Sequence, residues 1–172
     1  MDFPDHPFWD WSLDIYGRPG VEKILLDLQN RHGLDVNLLL FACWTGATGR
    51  GRLVDEDWRR LADGTVDWRA NVVEPLRAIR RHLKGRDEMP GAAAMHEKVK
   101  ALELEAEHAA QLSIAGLAPK QRELAVGTAV RIADASANLG DCIAAVGLSL
   151  SGGDQDLLTS LAQTACSGPQ TR

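Results

Sequence analysis

Asp35-Val36-Asn37-Leu38-Leu39-Leu40-Phe41-Ala42-Cys43-Trp44-Thr45 carries no charge after its first residue, and its run of leucines and rings is apolar nearly all round. A helix of that kind is buried on every side, so it belongs at the centre of a bundle with Asp35 as its N-cap. The uncharged run from Val36 to Gly49 has 14 residues and includes Asn, Thr and Gly. That is short of the roughly 20 apolar residues a membrane span requires, and no span is predicted.

Outward from this helix the pattern stays helical. Upstream, Phe8 to Tyr16 fits a short helix that starts near Pro7 and stops at Gly17, after which Pro19 suits the first turn of the next. Val21, Ile24, Leu25 and Leu28 recur at i, i+3, i+4 and i+7, and Gly33 ends that pattern. Downstream, Gly46, Gly49 and Gly51 interleaved with Arg50 and Arg52 mark a loop. A short helix is expected around Asp55 to Ala62, stopped by Gly64, with another starting at Thr65 or Asp67.

Trp68, Val72, Leu76, Ile79 and Leu83 keep one helical face, but Pro75 predicts a kink or a break there. After a loop from Gly85 to Gly91, Met95, Val99, Leu102, Ala106 and Ala109 form a heptad-like stripe ending near Gly116, and the two helices are expected to pair as a hairpin. Pro119 opens a segment to about Leu150 rich in small residues, among them Ala125, Ala129, Ala133, Ala137 and Gly140, with Gly140 as a possible dividing point. Asp154 to Ala165 fits a weak last helix. No alternating apolar and polar run with hairpin turns occurs, so no strand is predicted.

The chain has 172 residues, 45% of them hydrophobic and 25% charged. This suffices for one core and is too short for two. The reading is an all-α bundle of about six or seven helices in one domain over residues 1–166, with 167–172 as a frayed tail. A net charge of -5 and a pI near 5.5 argue against global binding to nucleic acid or an anionic membrane. Cys43, Cys142 and Cys166 have no CxxC spacing, which argues against a disulfide framework or a zinc knuckle and for a reducing cytoplasm. Met1-Asp2-Phe3-Pro4-Asp5 has no basic n-region leading into an apolar stretch, so no secretory signal is expected.

Four blocks resemble a proteobacterial family of small proteins of unknown function. They are Trp9 through Ser12-Leu13 and Tyr16 to Pro19-Gly20-Val21; Asp35 to Leu40 with Trp44; Trp68-Arg69, Val73, Pro75-Leu76-Arg77 and Arg80; and Lys100 to Glu107. The resemblance covers roughly Phe8 to His108 and does not extend beyond Ala118. It implies an all-α fold, a bacterial source and a cytoplasmic setting, and it carries no catalytic or binding residue.

Candidate chemistry comes from the residues themselves. Trp9, Trp11, Tyr16 and Trp44, beside Asp35 and Asn37, have the composition of an apolar ligand pocket or a partner hot spot; the plainer reading is a core filled by tryptophans. Arg69, Arg77, Arg80, Arg81, Lys84 and Arg86 form a basic stripe that suits a phosphate or an acidic partner. The same stripe is explained by pairing with Glu97, Glu103, Glu105 and Glu107 across the hairpin. No aromatics interleave these arginines, which disfavours nucleic acid. Glu105 and His108 make one ExxH, where a ferritin-like metal bundle needs two copies and two more carboxylates. The Asp10/Asp14 and Asp63/Asp67 pairs resemble prenyl-synthase aspartates only superficially, because the second straddles Gly64. Arg131, Asp134, Asn138 and Asp141 form a polar line read as the wet face of a helix. Cys43 and Cys142 have apolar neighbours that disfavour a nucleophilic thiol.

The candidate binding residues are therefore Trp9, Trp11, Tyr16, Asp35, Asn37, Trp44, Trp68, Arg69, Arg77, Arg80 and Arg81, with no catalytic residue, metal or cofactor assigned. They point first to a noncatalytic cytoplasmic adaptor that engages a protein through an aromatic or basic surface. The alternative is a small-molecule binder or enzyme with a Trp-lined pocket that uses Asp35, Asn37 and an arginine. A structural homodimer built on the Ala/Gly-rich helix is the third possibility.

Overall fold

The helix α3 (Val36–Ala47) is the axis of the computed structural model, which describes residues 4–86, 88–120 and 126–168. Every residue of α3 except Val36 is buried, as an all-round apolar sequence requires. The Asp35 carboxylate accepts the Asn37 N–H at 2.8 Å and caps its start.

Around α3 stand α1 (Pro7–Tyr16), α2 (Val21–His32), α4 (Asp55–Trp68), α5 (Glu74–Leu83), α6 (Ala92–Ala115), α7 (Thr128–Ala145) and α8 (Gly153–Cys166), and no strand occurs among the described residues. Between α4 and α5 lies a π-helical turn, Arg69–Val73, with helical backbone on both sides. The chain from 55 to 83 is thus one rod, making seven rods among the described residues, in keeping with an all-α bundle of six or seven helices. Among the described residues, no helix is long and apolar enough to cross a membrane.

Three predicted points of interruption lie within continuous helical backbone. Gly64 does not stop α4, which runs on to Trp68. Nor does Pro75 break its helix: the wide turn sits just before it, where the ring would otherwise meet the Asn71 carbonyl, and the Glu74 N–H bonds five residues back to Arg69. Gly140 likewise lies inside an unbroken α7. In both helices tertiary packing outweighs a local penalty of about 1 kcal/mol.

The closest helix contact is between α3 and α7. A Cβ on Gly46 would stand 2.3 Å from the Ala135 nitrogen, so only glycine allows this approach. Ala135 of α7 serves packing within the chain at this crossing, whereas Ala129, Ala133 and Gly140 are exposed. The supposed wet line is also partly internal: Asn138 is fully buried and Asp134 nearly so. The Asn138 amide donates to Thr45 Oγ1 at 2.8 Å and to the Gly51 carbonyl at 2.9 Å, and accepts the Leu53 N–H at 3.1 Å. It ties the glycine-rich loop to α3 and α7; Arg131 and Asp141, the latter paired with Arg52, are half-buried.

α7 begins at Thr128, well past Pro119, and residues 121–125, Ala125 included, lie outside the described residues, as do 169–172 of the expected tail. α8 buries Leu158, Leu161, Ala162, Ala165 and Cys166. Its C-terminal carbonyls are capped by Arg18, which donates to Thr164 at 3.0 Å and Ser167 at 2.9 Å.

The α5–α6 hairpin forms, but on a different seam. Met95, Leu102 and Ile79 are exposed. The facing positions are polar: Arg77 meets Glu103 at 3.3 Å and Glu107 at 2.6 Å, and Arg80 meets Glu103 at 2.5 Å. The inward face lies about one residue along from the predicted one, at Val73, Arg77 and Arg80, where arginine stems lie along apolar surface while their heads reach carboxylates.

Candidate functional site

A cavity of about 220 Å³ opens where the start of α3, the end of α4 with the π turn, and the middle of α6 converge. Its walls include Asp35, Asn37, Thr65, Trp68, Arg69, Arg77 and Glu107. Each wall has a local cause. The N-cap geometry aims Asp35 along the α3 axis, the π turn shifts Arg69 and Val73 in register, and the hairpin carries Glu107 opposite Arg77. The Trp68 indole N–H donates to the Ala106 carbonyl at 3.0 Å and pins the ring against α6.

A polar chain lines one side. The Asn37 amide donates to Glu107 at 2.5 Å and accepts from Gln111 Nε2 at 3.0 Å. Gln111 is buried, and its Oε1 has no hydrogen-bond partner among the described residues. Burial holds the Glu107 carboxyl above the usual carboxylate range, against the stabilising Asn37 hydrogen bond and Arg77, with Asp35 and Glu103 adding repulsion. Burial likewise raises Asp35, opposed by Arg69 and by the backbone N–H groups of Asn37 and Leu38. Two carboxyls with raised proton affinity at one cavity wall are a marker of functional sites.

The charges do not balance. Glu103 and Glu107 answer Arg77 and Arg80, and Glu74 answers Arg69 at 3.1 Å. Asp35 has no ion pair among the described residues: Arg69 and Arg77 act on it through space only.

A second cavity, of about 310 Å³, lies on the far side of Asp35, Thr65 and Arg69, which belong to both. Its other walls are mainly apolar, among them Leu34, Leu38, Leu39, Cys142, Val146 and Leu148.

The proposed residues therefore separate. Asp35, Asn37, Trp68, Arg69 and Arg77 come together at the first cavity. Trp44 does not join them: it is buried, with the Phe8 ring 5.1 Å away and the Arg50 guanidinium 4.4 Å over its face. Trp9 stacks on His108 at 4.1 Å. Trp11 and Tyr16 are partly buried against the core, Arg80 is held by Glu103, and Arg81 is exposed. The aromatic set is thus core and α1–α6 packing, because the rings of α1 lean on α3 and α6 and away from the cavity. Thr65, Glu107 and Gln111 were not singled out for the site; an inward acid three or four residues from Glu103 on one α6 face was the available signal. Among the described residues, no three or more His, Cys, Asp or Glu side chains are grouped to hold a metal ion.

Burial raises the Cys142 thiol to about 12 and Cys166 to about 11, and pushes Cys43 up strongly, so none is a ready nucleophile.

A family model described as a protein of unknown function matches residues 7–114. That span holds the whole first cavity, whereas Cys142, Val146 and Leu148 of the second lie beyond it. No curated protein and no solved structure matches the chain.

Proposed function

From the geometry of this chain, which belongs to the DUF2390 family of proteins of unknown function, we propose that it binds a small organic molecule in the cavity between α3, the π turn and α6. The observation that carries this reading is the Asp35 carboxylate, which lines the cavity with Trp68 and makes no ion pair among the described residues. A charge removed from water is costly unless something pairs with it, and a ligand would supply the missing partner. Asn37 and Gln111 add hydrogen-bonding groups, with the Gln111 Oε1 still unused.

Occupancy stabilises a fold by mass action, by about 2.7 kcal/mol at a hundredfold excess over Kd. A panel of small polar and charged organic compounds is therefore expected to raise the melting temperature and change tryptophan emission, with the emission change lost in Trp68→Phe. A panel that moves neither quantity overturns the reading.

The second reading, a protein-binding adaptor, is favoured by Ile79, Met95, Leu102 and Leu104, which lie exposed on the α5–α6 hairpin. Its test is a pull-down in which Leu102→Asp loses a partner that the wild type retains. A bacterial cytoplasm is the proposed setting, supported by three free buried cysteines. One domain is the proposed organisation, supported by a main core that draws residues from every α-helix except α5.

A further inference from the structure

Resting on the cavity reading above, we infer that the ligand is a monocationic amphiphile, with an ammonium head between Asp35 and Trp68 and a hydrocarbon tail in the adjoining cavity.

The head follows from charge. Three arginines around the site are answered by Glu74, Glu103 and Glu107, and the remaining carboxylate is Asp35. A ligand anion would face that unpaired acid, whereas an ammonium would pair with it and lie near an indole face suited to cations.

The tail follows from position. Asp35, Thr65 and Arg69 line both cavities, so a head held at Asp35 lies at the wall the two share. That space is bounded by buried Leu34, Leu38, Leu39 and Cys142 and reaches solvent beside the exposed Val66 and Val146. The two volumes, about 220 Å³ and about 310 Å³, together fall within the usual range for organic ligands, roughly 300–1,000 Å³.

The test uses the full chain and a series of n-alkylammonium ions from ethyl to octyl, with octanol and octanoate as controls, read by calorimetry at neutral pH. Affinity is expected to rise roughly fourfold for each added methylene until the second cavity is full. Octylammonium should bind best, and octanoate worst. Asp35→Asn, which keeps the helix cap, should weaken octylammonium about tenfold and leave octanol unchanged. Val146→Trp, at the mouth of the second cavity, should abolish the chain-length dependence and spare ethylammonium. Ammonium binding that is indifferent to chain length, or to Val146→Trp, overturns the amphiphile while leaving the cavity reading intact. Octanoate binding more tightly than octylammonium overturns the cationic head. Binding by none of the probes overturns this inference, and the cavity reading falls with it only if the wider compound panel also fails.

Discussion

Gly46 shows how much one absent methyl group decides. The α3–α7 crossing brings the Ala135 backbone so near that a Cβ at 46 would stand 2.3 Å from its nitrogen and 2.6 Å from its Cα. These are main-chain atoms inside a helix and cannot swing aside. Gly46→Ala is therefore expected to destabilise the fold by at least about 3 kcal/mol, beyond ordinary overpacking, although alanine is the better helix former. Urea denaturation checks this: a variant as stable as the wild type would mean that the two helices do not meet at Gly46. Asn138 works at the same scale. It was legible as one of four polar residues in a helical line, but its burial was not, because periodicity assigns a residue to a face without showing what that face meets.

At the scale of elements, the glycine signals for helix ends divided: Gly17, Gly33 and Gly116 end helices, whereas Gly64 and Gly140 do not. Gly33, at φ 69°, ends α2 in the left-handed region and its N–H caps Gln29, as predicted. Gly64 and Gly140, by contrast, sit inside helices, and a Cβ at either would meet no neighbouring atom within 4 Å. Gly140→Ala is accordingly expected to stabilise the protein by about 0.5–1 kcal/mol through propensity and unfolded-chain entropy. A thermal melt that shows a loss instead would indicate a division of α7 at that point. Pro75 was read as a kink or a break because its ring clashes with the preceding turn of a regular α-helix. The π turn over Arg69–Val73 relieves the clash and at the same time sets Arg69 at the cavity wall.

At the scale of the molecule, the cavity acids leave a signature in stability against pH. Asp35 and Glu107 have folded-state proton affinities raised by burial. Each binds its proton more tightly folded than unfolded, so stability falls as pH rises from the usual carboxylate value through the raised folded one. Asp154, drawn down mainly by its hydrogen bond to His32 and then by Arg31, acts in the opposite sense: its contribution is present above the usual value and lost as pH falls through the lowered one. Asp35→Asn removes the first effect and keeps the cap on α3. The variant is expected to match the wild type below pH 3.8, the ordinary aspartate value, and to melt higher at neutral pH. Melting curves across that interval decide it, and a pH-independent difference would contradict the desolvation of Asp35.

Helix class, the central α3 and the absence of a membrane-spanning helix were determined by the sequence itself, since each follows from local periodicity, composition and length. The residues Asp35, Asn37, Trp68, Arg69 and Arg77 were legible as chemistry in the same way. Only the tertiary structure decided that these five share a cavity while Trp44 fills the core and Trp9 packs on His108. The inward face of the α5–α6 hairpin was settled there as well. Which groups meet depends on crossing angles, close approaches and helical register, and those arise from packing between segments far apart along the chain.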